Sequence, residues 1–232
     1  KVRLNGALTI RVDPAVSLPH GSRVDYERVF FRRFLQALRP GDVVYDLGAN
    51  QGLFAIPAAM RVRRSGRVYA FEPAPAALEV LRRQVALNGQ REVVRLVKSL
   101  VGERCTRRVP FHVARSAVGW ASAAYAPRGT FCIHVNCLSL DYFSRKTRNV
   151  PSVIKIDVEG YELEVLRGAE RLLREHSPRI FCAIHPKFLK MRGESARSVF
   201  DLMRSYGYRA CRLRQEEEHD LNVVFLKETG IS

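Results

Sequence analysis

The run DLGANQG, residues 46–52, closes the apolar stretch Val43, Val44, Tyr45 with an acid, an asparagine and two glycines. Gly48 and Gly52 stand four apart, and Asn50 holds the place of the middle glycine of a GxGxxG fingerprint. A dinucleotide pyrophosphate needs close backbone approach over a helix N-terminus. Asn50 crowds that approach, and Asp46 at the start of the loop would repel phosphate. An acid in a carbonyl-rich turn instead suits a cationic ligand that carries an amino group. An ordinary tight strand-to-helix turn is the bland alternative, and Glu72 weighs against it. Glu72 ends the next apolar strand, in AFEP, where a carboxylate can accept two charge-assisted hydrogen bonds from a ribose diol. Together the two sites describe a nucleoside without pyrophosphate. S-adenosylmethionine fits that description and NAD fits it poorly.

A second group of reactive side chains follows in KIDVEG. Strand alternation puts Lys155, Asp157 and Glu159 on one side, with Ile154, Ile156 and Val158 on the other. Three charges on one side of an interior strand are costly unless they pair or line a cleft. Asp157 is the candidate for orienting an acceptor hydroxyl or the methyl-donor end. The competing reading is a structural cluster, with Lys155 paired to an acid and Glu159 favoured near a helix N-terminus. His185, in IHP, is the candidate catalytic base, since imidazole takes a proton near neutral pH; a buried histidine satisfied by a neighbour is the alternative. No pair among the six histidines has the spacing of a metal site, and no metal is expected.

These residues must be positioned by alternating elements. Apolar strands are expected at 43–48, 67–73, 92–100, 152–160 and 179–186. Helices are expected from Asp25 to Leu38, over 54–64, from Pro75 to Asn88-Gly89, over 161–174 and near 195–206. Two more strands flank the acidic turn QEEEHD at 215–220, and RVPFHVA and FCIHVNCLSL read as edge or insertion strands. Continuous β-rich runs alternating with helices imply an α/β domain whose mostly parallel sheet is covered on both faces. In such sheets ligands lie beyond the carboxyl ends of the strands, where every candidate above falls. Residues 1–24, with loose alternation around Asn5-Gly6, read as an N-terminal β-hairpin extension to a domain spanning 25–232. Trp120 and Tyr125 in the irregular segment after the third strand are candidates to cover an acceptor pocket, with core packing as the alternative.

The segments GDVVYDLGANQGLFAIPAA, RVYAFEPAPAALEVLRRQVALNG, SVIKIDVEGYELEVLRGAERLL and IHPKFL resemble, in consistent order over roughly residues 25–206, the FkbM family of S-adenosylmethionine-dependent methyltransferases. The resemblance implies a Rossmann-like fold, a mostly parallel seven-stranded sheet ending in an antiparallel strand. It also implies O-methylation of small molecules, often sugars or natural products. By the motif match Asp46, Gly48, Asn50 and Gly52 form the loop on the methionine side, Glu72 clamps the ribose, and Ser99 lies near the adenine. KSLVGE departs from the alanine usually found at the end of the third strand in such sequences.

Composition narrows the partners. The chain carries 39 Lys plus Arg against 23 Asp plus Glu over 232 residues, for a net charge of +16. That balance suggests a nucleic-acid methyltransferase as the alternative. The arginines are spread along the chain rather than gathered in a stripe with aromatics, and DVEG is not the Asn/Asp-Pro-Pro-aromatic turn such N-methyltransferases resemble. A small hydroxylated acceptor is favoured over nucleic acid. A non-catalytic nucleotide-binding module, or an NAD enzyme, is the third reading. Five cysteines without CxxC argue against a disulfide framework or zinc knuckle and point to a cytoplasmic, reducing location. No apolar stretch approaches the roughly 20 residues of a membrane-spanning helix.

Overall fold

Runs of buried, β-branched residues set the centre of the fold. The computed structural model describes residues 2–4, 8–13, 23–24, 28–114, 121–122, 129–213 and 221–228. The Asn5-Gly6 turn, Trp120, Tyr125 and the acidic stretch 215–220 lie outside the described residues. Three short strands, β1 (Val2–Leu4), β2 (Leu8–Ile10) and β3 (Arg23–Val24), precede helix α1 (Arg28–Ala37). Then β4 (Val43–Leu47), α2 (Ala55–Val62), β5 (Arg67–Phe71), α3 (Pro75–Leu87) and β6 (Val94–Val97) alternate as expected. An insertion follows: β7 (Leu100–Val101), β8 (Thr106–Ala114), β9 (Ala121–Ser122) and β10 (Thr130–Leu138). The alternation resumes with α4 (Leu140–Thr147), β11 (Val153–Ile156), α5 (Glu162–Arg167), α6 (Glu170–His176) and β12 (Arg179–Ile184). The last elements are α7 (Pro186–Met191), α8 (Ala196–Ser205), β13 (Tyr208–Arg212) and β14 (Leu221–Lys227).

The main sheet has seven strands in the order β13-β14-β12-β11-β4-β5-β6. β14 runs antiparallel to both neighbours, and the remaining pairs are parallel. The chain starts at β4, steps outward to β5 and β6, then returns to β11 on the other side of β4. That reversal makes the β4–β11 boundary the switch point at which open α/β sheets bind ligands. Register places Lys155 beside Asp46 there.

Helices cover both faces. On one, Phe30, Phe34, Phe54 and Phe181 meet edge-to-face; on the other, Tyr45, Tyr69, Phe71 and Phe143 do the same. Such pairs add about 0.5–1.5 kcal/mol each beyond the area they bury. Val2, Leu4 and Ile10 are buried in the first of these clusters, so the N-terminal strands share the core of the main sheet. Pro57 falls in the first turn of α2, where its missing N–H costs nothing.

Three local expectations are corrected. The third strand ends at Val97, and Leu100 and Val101 leave it to pair with Cys137 and Leu138 in a four-stranded sheet of order β7-β10-β8-β9. The helix expected over 161–174 is two helices broken at Gly168, because its backbone lies against Gly102: a Cβ there would come within 2.1 Å of the Gly102 carbonyl oxygen. The Asp141 carboxylate then caps α6 by accepting from the Arg171 and Leu172 N–H groups at 3.1 and 2.8 Å. Finally, a short helix, α7, follows His185 directly, with Pro186 at its start.

Candidate functional site

A cleft enclosing about 790 Å³, its open mouth included, lies beyond the carboxyl ends of β4, β5 and β11. Gly48, Asn50, Glu72, Ser99, Asp157 and Glu159 line it, with an apolar wall from Phe71, Ala77, Val101 and Phe111.

The loop after β4 takes its shape from side-chain size. Gly48 sits at φ +72°, and a Cβ on it would lie 1.9 Å from the Asp157 carbonyl oxygen. Gly52 sits at φ +90°, a left-handed conformation that strains any side chain, and a Cβ on it would come 2.6 Å from Leu81 Cδ1. Asn50 also has positive φ, 45°, a conformation asparagine tolerates better than most residues. The loop residues therefore divide. Gly48 and Asn50 face the cleft, while Gly52 fits the loop against the helices behind it.

Asp46 does not take the ligand-facing place expected of it. Its side chain is fully buried, and its Oδ1 lies 3.4 Å from Lys155 Nζ. The reason is the period of the strand: Asp46 is still within β4, in register with Lys155, and its carboxylate meets the Lys155 ammonium and is not part of the cleft lining. Lys155, itself 2% exposed, also reaches Asp157 Oδ2 at 3.2 Å and the Gly48 carbonyl at 3.4 Å, with the Phe54 ring 4.9 Å away. One buried cation thus ties the glycine loop to the end of β11.

Glu72 is held by its backbone surroundings. It accepts hydrogen bonds from the N–H groups of Asn50 at 2.9 Å and Ala74 at 2.8 Å. Burial raises its pKa to about 7 against the lowering effect of those two bonds. Carboxylate lone pairs not used by the two N–H groups remain for hydroxyl donors at the cleft wall. Ser99 lines the cleft with its hydroxyl bonded to the backbone, 2.8 Å from the Leu100 and 3.0 Å from the Asn136 carbonyl oxygen.

At the other end, β11 and β12 bring together Asp157, Glu159 and His185, with one ligand atom from each within 4.8 Å of the others. His185 Nδ1 is 2.7 Å from Glu162 Oε1, and Nε2 is 3.6 Å from Asp157 Oδ1 and 3.8 Å from Glu159 Oε2. Burial by itself would lower the His185 pKa, but the Glu162 hydrogen bond and the neighbouring carboxylates outweigh it and raise the value to about 10. An imidazolium donates protons near neutrality, which runs against the expectation that His185 rests as a base. For Asp157 burial opposes ionisation, and the Lys155 and His185 charges prevail to lower its pKa. Chain spacing hid this grouping, since its members come from two strand ends. The roles of Glu162 and Phe111 were also invisible: one lies inside a helix and the other in the insertion sheet.

Several arginines form ion pairs on the surface. Arg82 and Arg83 pair with Glu79, Arg171 with Glu175, Arg174 with Glu170 and Arg204 with Asp201. All five cysteines are free. Among the described residues no helix is long and apolar enough to cross a membrane.

Comparison with known proteins places this geometry. The family model described as the methyltransferase FkbM domain matches residues 46–210. A 31-O-demethyl-FK506 methyltransferase FkbM from Streptomyces tacrolimicus is 37% identical over 78 residues, 34% of this chain and 29% of that protein. A ribosomal protein L11 methyltransferase from Pelotomaculum thermopropionicum is 30% identical over 122 residues, 53% of this chain and 38% of that protein. The matched region thus spans well under half the length of these relatives. Among solved structures, a methyltransferase FkbM from Methylobacillus flagellatus KT superposes with a TM-score of 0.55 at 18% identity, over 84% of this chain and 50% of that one. An rRNA methylase from Streptococcus thermophilus gives 0.53 at 14% identity, over 86% and 94%. At these identities the structural likeness shows the fold, a Rossmann-like methyltransferase fold.

Proposed function

The chain belongs to the FkbM methyltransferase domain family, and from that premise we propose that it moves a methyl group from S-adenosylmethionine to a hydroxyl of a small molecule of sugar or natural-product type. The single observation that carries the cofactor assignment is Glu72, a buried carboxylate fixed by two backbone N–H groups on the wall of the cleft. It fits a ribose diol. The positive-φ turn at Gly48 and Asn50 fits a ligand close to the backbone, and the Phe71, Ala77, Val101 and Phe111 wall beside Ser99 fits an adenine.

S-adenosylmethionine, when bound, supplies an electrophilic methyl on a sulfonium. The residues of this chain then have two tasks. Glu72, Gly48 and Asn50 would hold the donor by the strand ends, and the apolar wall would exclude water from it. Asp157, kept ionised by Lys155, would accept a hydrogen bond from the acceptor hydroxyl, hold its oxygen toward the donor and take its proton as the methyl leaves the sulfonium. Positioning of this kind can supply up to about 7–11 kcal/mol of a barrier. His185 would orient Asp157 and Glu159 as a charged donor, and would take a proton only from a state in which those carboxylates no longer hold its own.

An RNA acceptor is the second reading, favoured by the charge of +16. The spread of the arginines along the chain, rather than in a stripe with aromatics, supports the small-molecule reading over it. Incubating the protein with labelled S-adenosylmethionine and candidate extracts tests the proposal: label should appear in a small product heavier by one CH₂, and label found only in RNA would reverse the preference.

A further inference from the structure

At the acceptor end of the cleft the side chains are of two chemical kinds. Asp157 and Glu159, partly exposed, line the cleft, and His185, 5% exposed, lies behind them. The imidazole is not free to turn. Its Nδ1 is held at 2.7 Å by Glu162 Oε1, which also accepts from the Gly160 N–H at 3.0 Å. Nε2 therefore faces the two cleft carboxylates.

Glu162 supplies an independent observation. It is fully buried, and its Oε2 has no hydrogen-bond partner among the described residues. Burying a carboxylate with one oxygen unsatisfied is costly. A metal-binding histidine almost always has its far nitrogen tied to such a group, which fixes the ring so that the near nitrogen meets the ion. Glu162, His185 and the two carboxylates reproduce that order from the interior outward.

Distances agree with a shared ion. Ligands about 2.1 Å from one cation lie about 3.0 Å apart at right angles and about 4.2 Å apart when opposed. The Nε2 separations of 3.6 and 3.8 Å fall inside that interval, and the widest separation in the group, within 4.8 Å, needs a closure of about half an ångström. Asp157 can spare Oδ1 because Lys155 holds Oδ2.

We propose that Asp157, Glu159 and His185 bind a divalent cation at the acceptor end of the cleft, the cation taking the place of the proton on His185 Nε2, which is released to solvent on binding. One imidazole with two carboxylates suits Mn²⁺, Fe²⁺ or Zn²⁺ better than Mg²⁺ or Ca²⁺, which take oxygen ligands alone. Three protein ligands leave open positions toward the cleft, where acceptor oxygens can be held. This use of the cation rests on the methyl-transfer reading; the binding itself does not.

The test is calorimetric titration of the whole chain, stripped with chelator, with MnCl₂ in the absence of cofactor, and with MgCl₂ alongside. One Mn²⁺ per chain should bind, its electron-spin-resonance signal changing on binding, with Mg²⁺ weaker. Glu159→Gln, at a half-buried position, should weaken Mn²⁺ at least about tenfold, and Glu162→Gln about 10–100-fold. A cooperative thermal unfolding transition near that of the wild type, measured on the same samples, shows that Glu159→Gln is folded, and S-adenosylhomocysteine binding is measured on the wild type in parallel. Absence of saturable binding of Mn²⁺, Fe²⁺ and Zn²⁺ overturns the proposal, as does binding that Glu159→Gln leaves intact. Mn²⁺ binding without S-adenosylhomocysteine binding would instead count against the methyl-transfer reading alone.

Discussion

A side chain on Gly48 would place its Cβ 1.9 Å from the Asp157 carbonyl oxygen. The Gly48 loop, proposed to hold the cofactor, and the Asp157 end of the cleft, proposed to hold the acceptor, therefore touch through a residue that has no side chain, and Lys155 reinforces the contact from inside. What disturbs one end is expected to disturb the other.

Gly48→Ala should be destabilising by more than the roughly 1–2 kcal/mol of an L-residue in left-handed backbone, because the β11 end must also retreat. Urea denaturation should show the loss, and calorimetry a drop of more than about tenfold in S-adenosylhomocysteine affinity. Asn50→Gly, at φ 45° and without such a contact, should fold normally. Equal behaviour of the two variants would refute the packing argument.

Lys155→Met removes the cation between Asp46 and Asp157. Breaking a buried pair by one partner costs about 3–5 kcal/mol, since a charge is left behind. The double change Asp46→Asn with Lys155→Met should be milder than Lys155→Met alone, and a double-mutant cycle by chemical denaturation measures the coupling. Additive losses would mean that the two side chains do not interact.

Cofactor affinity should depend on pH through Glu72. Burial raises its pKa to about 7, so the free protein carries a neutral carboxyl below that value. A ribose diol donates to the carboxylate, so binding favours the ionised form, and affinity should fall by up to about tenfold for each pH unit below 7. Above about pH 8 it should level off. Glu72→Gln should bind more weakly and lose the slope. A wild-type affinity flat from pH 5.5 to 8.5, values chosen to bracket about 7, would remove Glu72 from the ribose contact.

The positive charge should behave as a solvated surface. With the arginines spread along the chain rather than gathered in a stripe, binding to a random single-stranded RNA should be weak and should vanish by about 0.2 M salt, as phosphate contacts do. Tight saturable RNA binding in a filter or anisotropy assay at that salt would favour the nucleic-acid reading.

The parts of this arrangement that depend on period and local turn chemistry could be read from the chain. The five parallel strands announce themselves as apolar runs, and Gly48, Gly52 and Glu72 by residue type at strand ends. Tertiary effects could not. Asp46 looks like a loop acid until pairing with β11 sets it against Lys155. The break at Gly168 comes from Gly102, 66 positions away. His185 looks like a free base until the fold surrounds it with Asp157, Glu159 and Glu162. Phe111 reaches the cleft only because β8 folds beside β10, which no local pattern dictates.

Isothermal titration of the whole chain with S-adenosylhomocysteine and, separately, with NAD⁺ probes the nucleoside site most directly. Saturable one-to-one binding of S-adenosylhomocysteine, lost or strongly weakened in Glu72→Ala, with NAD⁺ giving no heat of binding, is the expected result. NAD⁺ binding in its place, or S-adenosylhomocysteine binding indifferent to Glu72→Ala, would contradict it.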